Sequence, residues 1–228
     1  MIHYFGFPTP NGRKVSVALE VLELPYERHF IDIRRNDQFA PEFLRLSPNN
    51  KIPAIIDTDG PGGQPIGLFE SAAILLYLAE KTGRLLPTDA RERLEVFEWM
   101  CFQVGHIGPM LGQKNHFAEY ASEKIPYAIE RYTNETKRLF GVVEQRLAGR
   151  DWLAGSAFSV ADILNFGWLR GDSVRTDHAD AWPNLARWVA RVAEQPGVER
   201  GWQVLVPEVE QKAPFTEETR AALRLIDG

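Results

Sequence analysis

The stretch HYFGFPTPNGRKVSVALEVLELPYERHFIDI, residues His3–Ile33, decides the fold of this chain. Its two ends, His3–Phe7 and Tyr26–Ile33, are rich in the aromatic and β-branched residues that favour β-strands. Between them, apolar residues recur at the spacing of a helix, at Val15, Ala18, Leu19 and Leu22. A strand, a helix and a second strand in this order predict a right-handed crossover that joins two parallel strands.

The sequence after the crossover adds a short helix, a hairpin and a further helix. Asp37–Leu46 is polar and helix-like, and Lys51–Asp57 reads as a turn followed by a short buried strand. The run DTDGPGGQP supplies turn residues and Ile66–Phe69 supplies a second strand, so this pair is predicted to be a hairpin. A helix over Glu70–Thr82 is expected to stop at Gly83. The order βαβ and then ββα predicts a thioredoxin-like α/β domain over residues 1–86.

The sequence beyond a linker at Arg84–Thr88 predicts an all-α domain over residues 89–228. One long helical stripe is formed by Ile129, Tyr132, Thr136, Leu139, Val143 and Leu147. A second stripe follows Trp182–Pro183, where proline suits the first turn of a helix. Ser159–Asp162 is predicted to cap a further helix. Residues from about Gln211 onward are predicted to form a loosely packed tail.

The composition argues against several classes of partner. The chain has 228 residues, of which 44% are hydrophobic, and this is enough for substantial cores. A net charge of −5 and the lack of a long Lys/Arg run argue against a nucleic-acid groove or an anionic membrane partner. No apolar stretch approaches the roughly 20 residues that cross a bilayer. The N-terminal sequence does not read as a signal peptide, and we expect a cytoplasmic protein.

Cysteine and histidine usage predicts neither a disulfide nor a metal site. Cys101 is the single cysteine, so no internal disulfide can form. It lies in the apolar helical stretch VFEWMCF, and we predict that it is a small buried side chain. The five histidines form no i,i+4 pair and no Cys/His cluster, which argues against a bound metal.

The turn Pro8–Gly12, between the first strand and the first helix, is the reactive corner of a thioredoxin-like unit. The free N–H groups and positive dipole end of a helix start stabilise a nearby thiolate. Redox proteins of this fold place Cys-x-x-Cys here, but this chain has none. If this corner carries out thiol chemistry, the sulfur must therefore come from a small molecule. Thr9 and Asn11 are the candidate hydrogen-bond donors to that sulfur. In the alternative, Asn11 only caps the helix and Thr9 lines the turn.

Two further segments are suited to a peptide-like ligand. A cis bond at Ile52–Pro53 would leave the backbone N–H and C=O of Ile52 free to pair with an extended peptide. Ser71, with the N–H groups at the head of a helix, suits a carboxylate, and Glu70 suits an amine. An α-amino acid end carries both of these charges side by side.

The order and spacing of these three sites resemble the glutathione-binding domain of glutathione transferases. TPNGRKVSVALEVLELPYE, SPNNKIPAIID and LFESAAILLYLAEKTG are similar to the bacterial nu class, whose known members are glutathione-dependent disulfide-bond reductases. The second domain adds GPMLGQ, HF and IPYAIERY, which thioredoxin-like domains in general lack. The resemblance implies that the all-helical domain forms the second-substrate pocket and part of a homodimer interface.

The resemblance also implies a role for each candidate residue. Thr9 and Asn11 would be catalytic, lying by the glutathione sulfur. Glutathione, the expected co-substrate, would be bound by Gln38 and Lys51 at its glycine end, Ile52 and Pro53 at its cysteinyl unit, Glu70 and Ser71 at its γ-glutamyl end, and Arg131 from the second subunit. Without the resemblance, Gln38, Lys51 and Arg131 would be interpreted as ordinary solvated surface.

The sequence departs from the family pattern near the expected second-substrate pocket. Gly105–His106 stands where the family often shows a glycine pair, and Phe102 stands in place of a tryptophan. His106 either projects into the pocket or, as we favour, is a partly buried packing residue. Several glycines and Pro109 predict that this helix bends or breaks.

The predicted activity is reduction of a disulfide, in which one glutathione thiolate attacks and a second glutathione resolves the mixed species. Peroxide reduction is a related activity. No general base is evident, because no tyrosine lies in residues 5–12. Glutathione conjugation, or cleavage of ether or thioether bonds in aromatic compounds, is the alternative among enzymes. A non-catalytic binding or regulatory protein on the same scaffold is the alternative outside them.

Overall fold

The computed structural model describes residues 1–172, 179–211 and 216–226, and the chain divides into two compact units. The first unit consists of Met1–Arg84 together with Gln195–Gly228, and the second of Leu85–Glu194. The division predicted from the sequence, 1–86 and 89–228, differs in one respect. The segment that begins at Gln195 packs with the first unit, although it follows the helical unit in the chain.

A four-stranded mixed sheet organises the first unit. Its strands are β1 (Ile2–Gly6), β2 (Tyr26–Phe30), β3 (Ala54–Asp57) and β4 (Ile66–Phe69), in the spatial order β2-β1-β3-β4. β1 and β2 are parallel and are connected by helix α1 (Pro10–Val21), whereas β3 is antiparallel to both β1 and β4. The predicted crossover and hairpin, and with them the thioredoxin-like fold, are confirmed.

Helices from both segments of the first unit pack around this sheet. Besides α1, those in contact with the strands are α2 (Pro41–Leu46) and α3 (Ser71–Thr82). The later segment adds the helices Val198–Gln203, which packs on α1, Glu217–Leu223, which packs on α2, and Val206–Gln211. One core cluster contains Phe5, Ile31, Phe43, Leu46, Ala54, Ile56, Ala222 and Leu223. The prediction of a loosely packed tail is therefore wrong for residues 216–226, because Ala222 and Leu223 are buried against the sheet and α2.

The regular elements described in the second unit are all helical. The α-helices are Ala90–Phe102, Gly108–Asn115, Pro126–Arg146, Val160–Leu169 and Pro183–Ala193. A π-helical turn at Gln103–Ile107 interrupts regular α-helical bonding where the glycines and Pro109 predict a bend, and a second one follows at His116–Tyr120. The predicted capping box is present, with Ser159 at the N-cap and Asp162 bonding back to its backbone. In the part of the chain that the structure describes, no helix has both the length and the apolar character that a membrane span requires.

Cys101 is exposed, so the prediction that it is buried is wrong. In the stretch VFEWMCF the buried positions are Val96 and Met100, which lie four residues apart on one side of the helix. Cys101 is the next residue, about 100° further around the helix axis. It therefore lies off the buried stripe.

Candidate active site

Three loops of the first unit meet at one end of its sheet. Phe5, near the end of β1, pairs with Ala54 at the start of β3, and Ala54 pairs with Phe69 at the end of β4. Because β3 runs against both neighbours, the segments after β1, before β3 and after β4 share that end. These segments carry the predicted site residues Thr9, Asn11, Lys51, Ile52, Pro53, Glu70 and Ser71.

The first turn of α1 presents Thr9 and Asn11. Thr9 is the N-cap residue, and its Oγ1 accepts the backbone N–H of Gly12 at 3.1 Å, so the alternative in which Asn11 is the cap is wrong. A hydroxyl that accepts one hydrogen bond keeps its own proton to donate. Asn11 Oδ1 accepts from Lys14 Nζ at 2.8 Å. With its oxygen directed to Lys14, the Asn11 side chain has Nδ2 as the group that donates.

Lys14 is a candidate residue that the sequence analysis missed. Its side chain is buried, with 2% exposure, and its ammonium group donates to the neutral amide of Asn11. Burial lowers the pKa of Lys14 to about 7, and the negative charge of Glu70 opposes this shift. Lysines this deeply buried are rare. The signal in the sequence was its place four residues before Ala18, within the apolar stripe of the helix.

Tyr4 and Gly12 shape this corner without offering chemistry of their own. The Tyr4 hydroxyl donates to the Gly12 carbonyl oxygen at 2.9 Å, and burial raises the pKa of Tyr4 far above the physiological range. A Cβ atom on Gly12 would lie 2.0 Å from the Phe7 carbonyl oxygen. Only glycine therefore allows the first turn of α1 to approach the preceding loop so closely.

The Ile52–Pro53 peptide bond is cis, as predicted. The preceding carbonyl, that of Lys51, accepts the Ser47 hydroxyl at 2.8 Å. Within the described residues, the backbone N–H and C=O of Ile52 have no hydrogen-bond partner, while its side chain packs against the core cluster. The side chain thus anchors a backbone edge to which an extended peptide can bind.

Glu70 joins β4 to α3 through an uncommon backbone conformation. Its φ of 69° and ψ of 113° fall in a region that residues with a side chain rarely adopt, at a cost of about 1–3 kcal/mol. The Glu70 side chain is exposed, and Ser71, the first residue of α3, is buried at 7% exposure. An acceptor for an amine and a helix start for a carboxylate therefore stand side by side.

Gln38 lies in the short 3₁₀ turn Asp37–Phe39. Its Oε1 is buried and has no hydrogen-bond partner among the described residues, so the amide can accept a further bond. Lys51 is exposed. The roles of both residues at the glycine end of a ligand stay predictions.

Arg131 is in the second unit, on the helix Pro126–Arg146. It lines a cavity of about 790 Å³ together with His106, Met110, Tyr127, Glu130, Tyr132, Asn134, Glu135 and Arg138. His106 is exposed and its ring lies 5.5 Å from that of Phe102, so the prediction that it is a partly buried packing residue is wrong. Its imidazole is part of the cavity wall.

Comparison with known protein families accounts for both units. The glutathione S-transferase N-terminal domain matches residues 9–81, and the glutathione S-transferase C-terminal domain matches residues 118–196. The chain belongs to the glutathione transferase family.

This glutathione transferase is similar to two curated relatives from Escherichia coli (strain K12). The disulfide-bond oxidoreductase YfcG is 47% identical over 197 residues, which cover 86% of this chain and 92% of YfcG. The disulfide-bond oxidoreductase YghU is 37% identical over 214 residues, which cover 88% of this chain and 73% of YghU.

Solved structures give the same picture. A glutathione transferase from Pseudomonas putida, with one glutathione disulfide bound per subunit, is 43% identical with a TM-score of 0.84, covering 89% of this chain and 91% of that one. A family member from Pseudomonas fluorescens pf-5, with two glutathione molecules bound, is 45% identical with a TM-score of 0.84. The match covers 88% of this chain and 92% of that one. The fold of this glutathione transferase is therefore that of proteins that have been seen with glutathione.

Proposed function

We propose that this glutathione transferase reduces small disulfides with glutathione as the electron donor. One observation carries the proposal: the first turn of α1 offers the Thr9 hydroxyl and the Asn11 amide at a helix start, while the single cysteine lies in the other unit. Such a turn stabilises a thiolate that the protein does not itself supply. The names of YfcG and YghU and the glutathione disulfide of the Pseudomonas putida structure support the same assignment.

The reaction has two exchange steps. A glutathione thiolate attacks one sulfur of the substrate disulfide, and the S–S bond breaks. One half of the substrate departs as a thiolate, and the other half stays joined to glutathione as a mixed disulfide. A second glutathione thiolate attacks the glutathione sulfur of that mixed disulfide and releases the other substrate thiolate. Two glutathione molecules are oxidised to glutathione disulfide, and their two protons end on the two product thiols.

The residues at the end of the sheet suit the rest of the glutathione molecule. Glu70 and Ser71 would bind the amine and carboxylate of the γ-glutamyl end. The unpaired backbone of Ile52, preceding Pro53, would bind the cysteinyl unit as an added strand. Gln38 and Lys51 would contact the glycine end.

Lys14 would act as a positioning residue behind the sulfur site. Its hydrogen bond fixes the Asn11 amide with Nδ2 as the donor, whichever protonation state the lysine has. When protonated, it also adds a positive charge next to the residues that receive the thiolate, and a bound thiolate in turn favours that protonated form.

The activity test compares wild type with the Thr9→Ala/Asn11→Ala double variant. Reduction of 2-hydroxyethyl disulfide by glutathione should fall by a factor of about 100 or more, because two hydrogen bonds to a charged group are lost. Thr88→Ala, which changes an exposed threonine in the helical unit, should retain full activity. Equal rates in the double variant and wild type would remove both residues from the mechanism.

Two further outcomes would point to the alternative functions. Conjugation of chlorodinitrobenzene at a higher kcat/KM than disulfide reduction would favour a conjugating transferase. Calorimetry that shows no binding of reduced or oxidised glutathione would favour the non-catalytic alternative. Reduction of disulfides by glutathione suits a reducing compartment, and we place the protein in the cytoplasm.

The proposed assembly is a homodimer in which Arg131 of one subunit completes the site of the other. Mixing two inactive variants tests this directly. If Thr9→Ala/Asn11→Ala subunits exchange with Arg131→Ala subunits, one site in each mixed dimer is intact, and about a quarter of wild-type activity should return. Lys137→Ala, an exposed change on the same helix, is the control that should be active alone. No recovery after confirmed exchange would contradict the contribution of Arg131 across the dimer.

A further inference from the structure

The first unit contains a cluster of two histidines and a glutamate that plays no part in the proposed reaction. His3 lies on β1, and Glu27 and His29 lie on the neighbouring parallel strand β2. In the register of the two strands His3 pairs with Glu27 and Phe5 pairs with His29. All three side chains therefore project from the same face of the sheet.

The ligand atoms of these residues are close together. His3 Nδ1 lies 3.1 Å from His29 Nε2 and 3.3 Å from Glu27 Oε2. All three ligand atoms lie within 4.8 Å of one another. In a tetrahedral zinc site with bonds of about 2.0–2.1 Å, neighbouring ligand atoms are roughly 3.3–3.4 Å apart. Two of the three edges already have nearly this length.

The burial of His29 and the exposure of Glu27 also suit a metal. The His29 ring is buried and stacks on Phe5, with ring centroids 4.7 Å apart, so its nitrogen is held in place. The Glu27 side chain is 53% exposed and can rotate to bring its carboxylate closer to His29, which is the third edge of the site. An exposed carboxylate in the ligand set also leaves the fourth position open to water.

The protonation state of the cluster favours coordination. Burial disfavours a positive charge on both rings: it lowers the pKa of His3, against the opposing charge of Glu27, and lowers the pKa of His29 to about 4. Without a metal, His3 Nδ1 and His29 Nε2 form a hydrogen bond of 3.1 Å, in which one nitrogen carries the proton and the other accepts. Coordination needs a lone pair on both facing nitrogens, which only requires that the donating ring move its proton to its other nitrogen.

We propose that His3, Glu27 and His29 form a zinc site that links β1 to β2 at the edge of the sheet. Two histidines and one glutamate are an established ligand set for Zn²⁺, and imidazole nitrogens suit zinc better than magnesium or calcium. The prediction of no metal site rested on spacing along the chain. The site escaped it because its ligands come from separate strands, with 23 residues between His3 and Glu27.

Zinc affinity of the purified protein tests the proposal. Zn²⁺ is titrated against a chromophoric chelator in a buffer free of glutathione, which would itself bind the metal. Wild type should bind one equivalent. Glu27→Gln and His3→Gln should each bind at least about tenfold more weakly, since losing even an outer-shell partner of a metal costs roughly 10–100-fold.

Two control variants test potential ligands outside the cluster. His116→Gln removes an exposed histidine of the helical unit, and Cys101→Ser removes the exposed thiol. Both should bind zinc as wild type does. Circular dichroism of Glu27→Gln, a change at an exposed side chain, verifies that the fold is intact. At the same zinc concentration, the Tm of wild type should also rise more than that of Glu27→Gln.

Either of two results would overturn the proposal. One is a wild-type protein that fails to compete with the chelator for zinc. The other is Glu27→Gln and His3→Gln binding zinc with wild-type affinity, which would assign any bound metal to other residues. Neither result depends on glutathione or on the proposed reaction.

Discussion

Replacing Lys14 by methionine should stabilise the protein and impair its activity at the same time. Methionine has a similar length and no charge, so it can fill the buried space that the Lys14 side chain occupies on α1. The variant retains Thr9 and Asn11, so it tests what the Lys14 amino group contributes through its charge and its hydrogen bond to Asn11.

The magnitude follows from the pKa of Lys14. A pKa lowered from 10.5 to about 7 means that folding with the charged lysine is about 5 kcal/mol less favourable than folding with the neutral form. Methionine removes this penalty but gives up the hydrogen bond to Asn11, worth about 1 kcal/mol. The free energy of unfolding at pH 7 should therefore rise by about 2–4 kcal/mol.

The pH dependence has a definite sign. Between pH 7 and pH 10.5 the unfolded chain binds a proton on Lys14 that the folded protein has lost. The wild-type free energy of unfolding should therefore rise with pH across this window, and Lys14→Met should lack this contribution to the rise. Urea unfolding at pH 7 and pH 9.5 measures both quantities.

A second buried lysine provides the matched control. Lys114 is 3% exposed, but its Nζ lies 3.1 Å from Asp172 Oδ2 in the helical unit. Lys114→Met removes the cation from a buried ion pair and leaves the charge of Asp172 in place, which should destabilise the protein by about 3–5 kcal/mol. The two lysine-to-methionine changes should thus have opposite signs.

Activity completes the test of Lys14. Disulfide reduction by Lys14→Met should fall by about 10–100-fold, and the thiol pKa of bound glutathione, followed by thiolate absorbance, should rise. A merely structural lysine would leave that thiol pKa unchanged. Unfolding of Lys14→Met at lower urea concentration than wild type would refute the reasoning, because it would show that the buried charge is not a penalty.

Three other predictions concern packing and ligand binding. Gly201→Ala should destabilise the protein in urea unfolding by about 1–3 kcal/mol or more, because the new Cβ would lie 2.4 Å from Val17 Cα. Gly105→Ala is the control: a Cβ there meets open space and should not destabilise the protein. Leu223→Ala should lower the free energy of unfolding by about 2–5 kcal/mol, since its side chain is fully buried, and Leu225→Ala, 42% exposed, should change it by less than about 0.5 kcal/mol. Glu70→Gln should weaken glutathione binding in calorimetry by about tenfold or more, with Glu218→Gln, an exposed change, as the control. An unchanged affinity for Glu70→Gln would separate Glu70 from the ligand.

Local patterns were sufficient to predict most of the fold. The two strands of the crossover and the stripe of α1 follow from residue types and spacing within a short window. The cis bond at Ile52–Pro53 and the capping box at Ser159 are also local features, and both were predictable. The order of Thr9, Ile52 and Glu70 could be read from the sequence. Their meeting at one end of the sheet depends on strand pairing and needed the structure.

The failures share a physical cause, which is that burial is decided by contacts distant in the chain. Leu223 is buried because it meets α2 and the sheet, about 180 residues earlier in the sequence. Cys101 is exposed although its neighbours are apolar, because one residue step turns a side chain away from the packed face. His3 and His29 meet only through the pairing of two parallel strands.

The discontinuous make-up of the first unit has a consequence for synthesis on the ribosome. Residues 85–194 form the second unit from one uninterrupted segment, so this unit can complete its core while later residues are still being added. The sheet has all four strands by Phe69, but it must wait for the helix Glu217–Leu223 before its hydrophobic cluster is closed. A released chain that ends at residue 194 should therefore have a protease-resistant helical unit and a protease-sensitive N-terminal sheet.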